Sequence, residues 1–370
     1  MKLAIIHDHL IQDGGAERVL KVLHNLYPKA PIYTLVFDKK KLGRVFSPNI
    51  VKTSFLQHIP FITKKYQWFL PLMPLATEQY DLSEYDIILS SNSAFSKGVI
   101  PKQKTLHICY CHTPTRYLWS DTHAYIQELK KSQVIKKLLP FFLTNLRLWD
   151  RLAADRVDLF IANSKTVQER IQKYYRRKSD VMYPPVETDI FYIAKKTGDY
   201  YLAGGRLVSY KRFDIVVDAF NRLGIPLKIF GMGPEYHQLK KNARKNIEFV
   251  GDVSDDEKAS LYSESKAYIH PQEEDFGITA IEAMASGRPV IAFAAGGALE
   301  TVTEGVTGEF FVDQDWPALI DSILRFKPER YDPHIIRERA LVYSTERFKK
   351  ELSQYISHAW QVWQARTKED

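Results

Sequence analysis

The sequence predicts an α/β protein built from two doubly wound parallel sheets, and three observations lead to this fold class. Short apolar runs alternate with longer amphipathic stretches along most of the chain, which is typical of buried parallel strands joined by covering helices. The alternation stops at the pair Pro184 and Pro185 and then begins again. The 370 residues also exceed what one hydrophobic core usually organises. We therefore expect two Rossmann-like domains.

The first half of the chain contains short apolar runs that predict strands of a parallel sheet. These strands are residues 3–7, 32–37, 87–90, 106–111 and 159–162. Between them, apolar residues recur at the spacing of an amphipathic helix. The helices predicted from that spacing lie near residues 16–26, 66–77, 126–155 and 166–175.

The second half of the chain repeats this pattern after the proline pair. Its predicted strands are residues 200–203, 227–230, 247–250, 267–270 and 290–293. Its predicted helices lie near residues 213–222, 236–243, 256–264 and 278–286, and the aromatic-rich tail at 346–366 is also helical in pattern.

The proline pair marks the predicted domain boundary, because two prolines can neither continue a helix nor pair normally in a sheet. We place the linker within residues 181–191. The predicted domains are 1–185 and 186–345, followed by a C-terminal helix at 346–370. Two such domains are expected to direct the carboxyl ends of both sheets toward a shared cleft, where doubly wound sheets bind their ligands.

The composition favours a globular protein that handles anions. Hydrophobic residues make up 45% and charged residues 26%, and the net charge is +8 with a pI of about 9.1. This balance suits a nucleic acid, an anionic membrane face or a phosphorylated substrate. The sequence has no zinc-finger spacing, RNP motif or basic repeat, so nucleic acid is the least favoured of these partners.

Cysteine usage and apolar stretches indicate the compartment. Cys109 and Cys111 are the only cysteines and point to the same face of one predicted strand, so a reducing cytoplasm is expected. A metal site at these cysteines and His112 lacks a second ligand pair with zinc spacing. The N-terminal apolar run is too short for a signal peptide, and no stretch approaches a membrane span of about 20 residues. We expect a cytoplasmic protein, soluble or peripheral on the inner membrane face.

The segment PQEEDFGITAIEAMASGRPVIAFAAGG at residues 271–297 carries the strongest candidate site. A strand ends at His270, an acidic loop follows, and a helix begins near Gly277. Free backbone amides at 277–279 would form an anion site suited to a diphosphate. Glu274 before the helix and Glu282 inside it would contact different parts of one ligand. The alternative is that the acidic loop only caps the helix.

Three further loops follow predicted strands. Arg206 and Lys211 in GGRLVSYKR supply two cations suited to a diphosphate, including the charge that grows as it departs; the alternative is a solvated basic turn. Gly14 and Gly15 form a turn without the GxGxxG spacing of a dinucleotide site. His112 in CHTPTR would project from a strand end toward a ligand, or serve as a structural histidine.

In this order and context, these residues resemble glycosyltransferase family 4, whose members are retaining enzymes of the GT-B fold. The resemblance is carried by Glu274 and Glu282 in their GITAIEAMASGRPVIA context and by GRLVSYKR. It spans nearly the whole chain. The stretches HDHL, GGAERVL and YCHTPTRYLW resemble a bacterial subgroup that includes mannosyltransferases of O-antigen and exopolysaccharide assembly.

The resemblance implies a role for each matching residue. Arg206 and Lys211 would bind the donor diphosphate and stabilise it as the leaving group. Glu274 would hold the donor sugar's hydroxyls near C3 and C4, and His112 would contact the sugar near O6 or the reacting centre. The implied donor-binding residues are Gly14, Gly15, Gly205, Phe276, Gly277, Ile278, Thr279 and Glu282, the last on the ribose. The base is expected near residues 231–233 and after 251.

The resemblance also implies the chemistry and the architecture. The first domain would bind the acceptor, the second the nucleotide sugar, and the C-terminal helix would pack back on the first domain. Retention is expected by front-face departure, with the leaving phosphate accepting the acceptor's proton. No metal or other cofactor is expected, since Asp255 and Asp256 are predicted to open a helix rather than to form a metal-binding pair. Mutation of Glu274, Lys211 or Arg206 to alanine is expected to lower turnover by orders of magnitude.

The expected function is transfer of a hexose, best mannose from GDP-mannose, to a saccharide or lipid-linked saccharide in bacterial surface polysaccharide synthesis. One alternative is a UDP-sugar donor. Two others are a nucleotide-sugar 2-epimerase, which would turn over donor without acceptor, and a non-catalytic nucleotide-sugar-binding subunit.

Residues 129–149 suggest a membrane contact. Their sequence, LKKSQVIKKLLPFFLTNLRLW, mixes cations with large apolar side chains. This composition suits an interfacial helix on an anionic leaflet, to which Phe61, Lys64, Lys65, Trp68 and Phe69 would add. The alternative is an amphipathic helix packed on the first domain.

Overall fold

A computed structural model describes residues 1–122, 126 and 133–369, without the side chains of 133–138 and 367–369. The chain forms two compact units. Unit 1 consists of Met1–Tyr183 and Lys349–Asp370, and unit 2 consists of Pro184–Phe348. The division falls at the first proline of the pair. Each unit contains one parallel sheet with helices, which confirms the predicted α/β fold class.

The sheet of unit 1 has seven parallel strands in the order β3-β2-β1-β4-β5-β6-β7. They are β1 (Leu3–His7), β2 (Ile32–Thr34), β3 (Val51–Thr53), β4 (Ile87–Asn92), β5 (Leu106–Cys111), β6 (Leu159–Ala162) and β7 (Ser179–Val181). Strand order reverses between β1 and β4, which makes the sheet doubly wound. The sequence did not predict β3 and β7, because each is a three-residue strand at the sheet edge with a charged central residue.

Helices of unit 1 connect these strands. They are α1 (Gly15–Leu26), α2 (Lys39–Leu42), α3 (Ile62–Lys65), α4 (Met73–Glu78), α5 (Gln133–Asp155) and α6 (Lys165–Arg170). The helix predicted at 66–77 is a 3₁₀ helix, Tyr66–Leu72, that runs into α4. The helix predicted at 166–175 ends in a π-helical segment, Ile171–Tyr175. Of the helix predicted at 126–155, residues 127–132 lie outside the described residues.

The sheet of unit 2 has six parallel strands in the order β10-β9-β8-β11-β12-β13. They are β8 (Tyr201–Gly204), β9 (Leu227–Phe230), β10 (Ile247–Gly251), β11 (Tyr268–His270), β12 (Val290–Phe293) and β13 (Gly308–Phe311). Its helices are α7 (Phe213–Leu223), α8 (Tyr236–Asn242), α9 (Asp255–Glu264), α10 (Ile278–Ala285), α11 (Ala298–Thr301), α12 (Trp316–Arg325) and α13 (Pro333–Leu341).

The last helix, α14 (Thr345–Glu369), begins in unit 2 and belongs to unit 1 from Lys349 onward. Hydrogen bonds attach it to unit 1. The Tyr355 hydroxyl donates to Asp180 at 2.9 Å, and Trp363 Nε1 donates to the Lys104 carbonyl at 3.0 Å. This half of α14 therefore packs on the unit that also contains the first strand.

A buried polar network lies beside the carboxyl end of the unit 1 sheet. The side chain of Lys97 is fully buried, and its Nζ lies 2.5 Å from Oδ1 of Asp150 on α5. Thr115 Oγ1 donates to the same oxygen at 2.8 Å, while Trp119 Nε1 and the Tyr175 hydroxyl donate to Oδ2 at 2.8 and 2.9 Å. The network joins α5 to the loop that follows β5 and carries His112.

The predicted membrane-contact segment is only partly exposed. Phe141 and Phe142 are exposed, whereas Leu139 and Trp149 pack on a hydrophobic cluster of unit 1. Pro140 lies inside α5 and does not end it. Lys130 and Lys131 lie outside the described residues. Within the part of the chain that the structure describes, no helix is long and apolar enough to cross a membrane.

Candidate active site

The N-terminus of α10 is open in the way the sequence predicted. Gly277 precedes the helix with φ +87° and ψ 59°, a left-handed conformation that favours glycine. No side chain caps the helix, and the first-turn amides of an α-helix have no partner within the helix. Ile278 and Thr279 form that first turn and are half-buried. These amides and the helix dipole provide an anion site.

A buried histidine lies directly beneath Gly277. His270, at the end of β11, is completely buried, and burial lowers its pKa to about 4, so its ring is neutral. Gln272 Nε2 donates to its Nδ1 at 3.2 Å, which places the ring proton on Nε2. Among the described residues, Nε2 has no hydrogen-bond partner. A Cβ on Gly277 would lie 3.2 Å from this nitrogen, so only a glycine leaves room between His270 and a ligand.

Lys211 and Glu274 form an ion pair beside the same helix end. Their Nζ and Oε1 atoms lie 2.8 Å apart, and both side chains are mostly buried. Burial disfavours the ammonium, but the neighbouring Glu274 carboxylate outweighs it and raises the pKa of Lys211. A Cβ on Gly205 would lie 3.4 Å from this Nζ and 4.0 Å from Thr279. The loop after β8, Lys211 and the first turn of α10 therefore converge on one place.

Arg206 lies on the exposed part of the same loop. Its guanidinium donates to the Tyr210 hydroxyl at 3.4 Å. Two glycines of the next loop hold this segment in place. A Cβ on Gly231 would lie 1.9 Å from the Gly205 carbonyl oxygen, and one on Gly233 would lie 2.1 Å from the Leu207 carbonyl oxygen. The glycines predicted near the base therefore allow close packing of the loops after β8 and β9.

Glu282 is placed differently from the sequence expectation of a ligand-facing carboxylate. It is 1% exposed on α10. Its carboxylate lies 3.2 Å from Lys258 Nζ and accepts from the Tyr262 hydroxyl at 3.2 Å. Sequence reasoning missed both partners, because nothing in the sequence distinguishes Lys258 from the other charged residues of α9.

The acidic loop is fixed through its backbone. Phe276 buries its ring against Tyr343, with ring centroids 5.4 Å apart, so only its backbone could face a ligand. The Gly297 amide donates to the Glu274 carbonyl at 2.8 Å. A Cβ on Gly297 would lie 2.4 Å from the Phe276 Cα. The glycine pair that ends the 271–297 segment thus shapes the Glu274 loop, a role that the sequence analysis did not assign.

In unit 1, Gly14 and Gly15 begin α1 beside the end of β1. The Gly14 amide donates to Glu17 Oε2 at 2.9 Å, so the side chain of the helix's own first turn already satisfies it. A Cβ on Gly14 would lie 3.0 Å from that oxygen. Gly15 is exposed. The glycine turn therefore holds a buried glutamate at the helix N-terminus.

His112 follows β5 directly, and its amide donates to the Asn92 carbonyl at 2.8 Å. The residue is 9% exposed. Burial is the main cause that lowers its pKa to about 4, so the imidazole is neutral at physiological pH. Its Nε2 lies 2.8 Å from the Ser91 hydroxyl. The sequence placed His112 at a strand end, and the structure places it there within a buried polar cluster.

Among the described residues, no group of three or more His, Cys, Asp or Glu side chains is arranged so that it could hold a metal ion. Asp255 and Asp256 open α9 behind the capping residue Ser254. Cys109 and Cys111 are buried, and burial raises the pKa of the Cys109 thiol to about 12. A protonated thiol is a poor metal ligand.

Two family models match consecutive parts of the chain. The model described as Glycosyltransferase Family 4 matches residues 13–190, and the model described as Glycosyl transferases group 1 matches residues 187–341. The chain belongs to glycosyltransferase family 4.

Curated relatives match this family 4 protein over part of their length. An uncharacterized glycosyltransferase of Methanocaldococcus jannaschii is 32% identical over 169 residues, which are 44% of this chain and 47% of the relative. A GDP-mannose-dependent alpha-mannosyltransferase of Corynebacterium glutamicum is 37% identical over 105 residues, which are 28% of this chain and 25% of the relative. The matched part of the chain thus spans at most about half of the length of these two relatives.

A solved structure resembles the family 4 fold over nearly the whole chain. Anabaena HepE, crystallised with UDP and glucose, has a TM-score of 0.72 at 20% identity, covering 96% of this chain and 99% of that chain. At this identity the likeness shows the fold, which is GT-B.

The buried histidines predict that this family 4 protein loses stability in mild acid. Burial lowers the pKa of His107, His112 and His270 to about 4, whereas an unfolded histidine titrates near 6.5. Between these values the unfolded chain binds more protons, so stability is full above about pH 7 and falls as pH falls toward 4, by about 1.4 kcal/mol per pH unit for each histidine.

Urea unfolding measured from pH 7.5 to 5 tests this expectation. The midpoint should fall across that range, and His107→Gln should make the fall shallower. A midpoint that stays constant from pH 7.5 to 5 would contradict it.

Proposed function

We propose that this chain is a metal-independent retaining glycosyltransferase that moves mannose from GDP-mannose to a saccharide or lipid-linked saccharide acceptor of bacterial surface polysaccharide. The observation that carries the proposal is the convergence of Lys211, Glu274 and Gly205 on the uncapped N-terminus of α10. Family membership supports sugar transfer as the reaction class.

The diphosphate would bind where the cation and the helix amides meet. Glu274 engages one of the three ammonium protons of Lys211, which leaves donors for phosphate oxygens. The amides of the first turn of α10 and the neutral Nε2–H of His270 add further donors. Arg206, on the exposed part of the same loop, would donate two hydrogen bonds from its planar guanidinium to other oxygens of the diphosphate. Fixed donors of this kind stabilise the charge that develops on a departing diphosphate.

Glu274 serves as a positioning carboxylate in this proposal rather than as a nucleophile. Its carboxylate pairs with Lys211 beside the anion site, where it can accept hydrogen bonds from two sugar hydroxyls. The departing phosphate then takes the proton of the attacking acceptor hydroxyl on the same face, so that the new bond forms with the original anomeric configuration.

Mannose and guanine are supported by the Corynebacterium glutamicum relative, whose name specifies a GDP-mannose donor. The polysaccharide role is supported by the resemblance of the HDHL and GGAERVL stretches to the bacterial subgroup. A UDP-sugar donor is the second candidate, because the similar HepE fold was crystallised with UDP.

A donor panel tests the proposal. Purified protein is incubated with GDP-mannose, UDP-glucose and UDP-galactose, with and without EDTA, and nucleotide release and sugar isomers are measured. Slow release of GDP and free mannose that persists in EDTA is expected, with water taking the place of the acceptor. An isomerised donor would show that the protein is an epimerase. Donor binding without turnover would show that it is a non-catalytic subunit. Turnover that requires added Mg²⁺ or Mn²⁺ would refute metal independence.

We further propose that unit 1 contacts an anionic membrane, which would bring the active site to a lipid-linked acceptor. Phe141, Leu148 and Leu152 are exposed and follow each other at helical spacing along one face of α5. Phe61 and Trp68 are 74% and 60% exposed. Large apolar side chains exposed together mark interaction surfaces.

The exposed apolar residues of α5 and of the Phe61 segment are joined through one hydrophobic cluster of unit 1. Ile62 and Met73, from the segment that carries Phe61, and Leu143 and Leu146 of α5 belong to the same hydrophobic cluster. Phe61 has φ 61°, a left-handed conformation that is costly for an aromatic residue. Strain that holds an apolar ring in solvent fits a binding role, and the neighbouring Lys64 and Lys65 suit anionic headgroups.

A flotation assay tests this contact. It compares vesicles of phosphatidylcholine alone with vesicles in which about one lipid in three is phosphatidylglycerol. Binding to the anionic vesicles only is expected, and Phe61→Ser with Trp68→Ser should remove most of it. The control pair Val312→Ser with Leu324→Ser alters equally exposed apolar residues of unit 2 and should bind like wild type. No flotation with either lipid, or equal loss in the control, refutes the contact.

A further inference from the structure

A buried chain of polar side chains leads from the N-terminus of α1 to His112. Glu17 Oε1 lies 3.8 Å from His7 Nε2. His7 Nδ1 lies 3.1 Å from the Ser91 hydroxyl oxygen, which lies 2.8 Å from His112 Nε2. Glu17, His7 and Ser91 are each at most 3% exposed. Sequence analysis assigned no role to any of these three residues.

Sheet geometry explains why these side chains meet. His7 of β1 pairs with Ser91 of β4, and Ser91 pairs with Tyr110 of β5. Residues paired across strands share a face, as do residues two apart in one strand. His112, two residues after Tyr110, therefore lies on the face of His7 and Ser91, and α1 covers that face with Glu17.

The neighbouring Asp8 carboxylate does not take part in this series of polar contacts. The Asp8 carboxylate accepts four backbone amides, from Ser93 to Ser96, at 2.6 to 2.9 Å, so its oxygens are directed to that loop. Glu17 also accepts the Gly14 amide with Oε2, which fixes the carboxylate with Oε1 toward His7. The Glu17 carboxylate, which ends the series on the side farthest from His112, is thus held in place facing His7.

The Glu17 carboxylate, whose Oε1 lies 3.8 Å from His7 Nε2, attracts a proton to that nitrogen rather than to Nδ1. With that proton on Nε2, a His7 ring that carries a single ring proton presents Nδ1 as an acceptor. The Ser91 hydroxyl, which has one proton, then donates to His7 and accepts from His112. Because burial keeps His112 neutral, a proton on its Nε2 leaves Nδ1 with a lone pair. Nδ1 makes no hydrogen bond to the described residues.

We infer that Glu17, His7 and Ser91 are positioning residues that hold His112 in its Nε2–H form, so that Nδ1 accepts a hydrogen bond from a hydroxyl of the substrate. The inference deepens the proposed function and rests on it for the identity of that hydroxyl as a sugar hydroxyl. It makes His112 an acceptor that orients the sugar and not a proton donor to the leaving group.

Nitrogen-15 NMR of histidine-labelled protein reads the tautomer without any assay of activity. The signals of His112 are assigned by their loss in His112→Gln. Wild type and Ser91→Thr, which keeps the hydroxyl, should show the Nε2–H form. Ser91→Ala and Glu17→Gln should show a mixture of tautomers. In the same two variants kcat for donor turnover should fall about tenfold, the effect of one ordinary hydrogen bond, with donor KM nearly unchanged.

A matched control is the neighbouring serine of the same strand. Ser90 is equally buried and lies 2.9 Å from Nε2 of another buried histidine, His107. Ser90→Ala should alter the His107 signals and leave those of His112 and kcat unchanged.

Two results would overturn the inference: an Nδ1–H tautomer of His112 in wild type, or an unchanged His112 tautomer in both Ser91→Ala and Glu17→Gln. If wild type turns over no nucleotide sugar, the proposed function fails, while the NMR result still decides whether the chain sets the tautomer. If Ser91→Ala does not fold, Glu17→Gln, which keeps the hydrogen bond to Gly14, supplies the same comparison.

Discussion

Lys211→Met is expected to lower kcat for donor turnover by about two to three orders of magnitude, the effect of losing one donor to a developing oxyanion. Methionine keeps the length and apolar stem of the side chain but removes the ammonium. The cation would then be missing at the point where Gly205, Glu274 and the N-terminus of α10 meet. Single-turnover kinetics with saturating donor measure the loss.

The control for this variant is Lys228→Met. Lys228 lies in the same unit and also pairs with a glutamate, its Nζ 3.7 Å from Glu248, but it lies on β9 away from the α10 helix end. Its replacement should leave kcat within about twofold, since exposed ion pairs contribute little. Near-normal turnover by Lys211→Met in a folded protein would remove this residue from the reaction and the diphosphate site with it.

Asp150→Ala is expected to cost about 3–5 kcal/mol of unfolding free energy, because it leaves the ammonium of Lys97 buried without its carboxylate. The variant also removes the acceptor for Thr115, Trp119 and Tyr175. Urea unfolding at pH 7.5 gives the change. Asp155→Asn at the end of the same helix breaks only an exposed pair with Arg151 and should cost less than about 1 kcal/mol.

The double variant Lys97→Met with Asp150→Leu separates the two causes of this loss. Replacing both charges by apolar groups removes the unpaired ammonium, so the double variant should be more stable than Asp150→Ala. A double variant that is less stable than the single one would indicate that the hydrogen bonds to Thr115, Trp119 and Tyr175 dominate. A cost below about 1 kcal/mol for Asp150→Ala would contradict the burial of the ion pair.

The central strands of both sheets could be predicted because burial on two faces leaves an uninterrupted apolar run. Leu3–His7, Leu106–Cys111 and Val290–Phe293 agree with their predicted bounds. The edge strand Gly308–Phe311 has a glycine and a glutamate and gives no such run. The helix Trp316–Arg325 did carry a signal that the prediction overlooked, with Asp315 as cap and proline in the first turn.

Loop residues of the candidate site were predictable for a similar reason. Lys211 and Glu274 follow strands directly, and parallel strands direct such loops to one edge of a sheet. Their 2.8 Å contact, however, joins loops that follow two different strands, and sequence spacing does not specify how closely such loops approach each other. His270 and Ser91 were missed because each looks like an ordinary polar residue of a strand, and only strand register reveals what each one faces.

The course of α14 has a consequence for dissecting this protein. Because the polypeptide passes between the units twice, once after Tyr183 and once after Phe348, only unit 2 is a contiguous fragment. A gene truncated after Tyr183 would encode unit 1 without the tail that donates hydrogen bonds to Asp180 and Lys104. A faithful version of unit 1 needs the tail fused back, and a single protease cut at either crossing divides unit 1 between two fragments that only non-covalent contacts of α14 hold together.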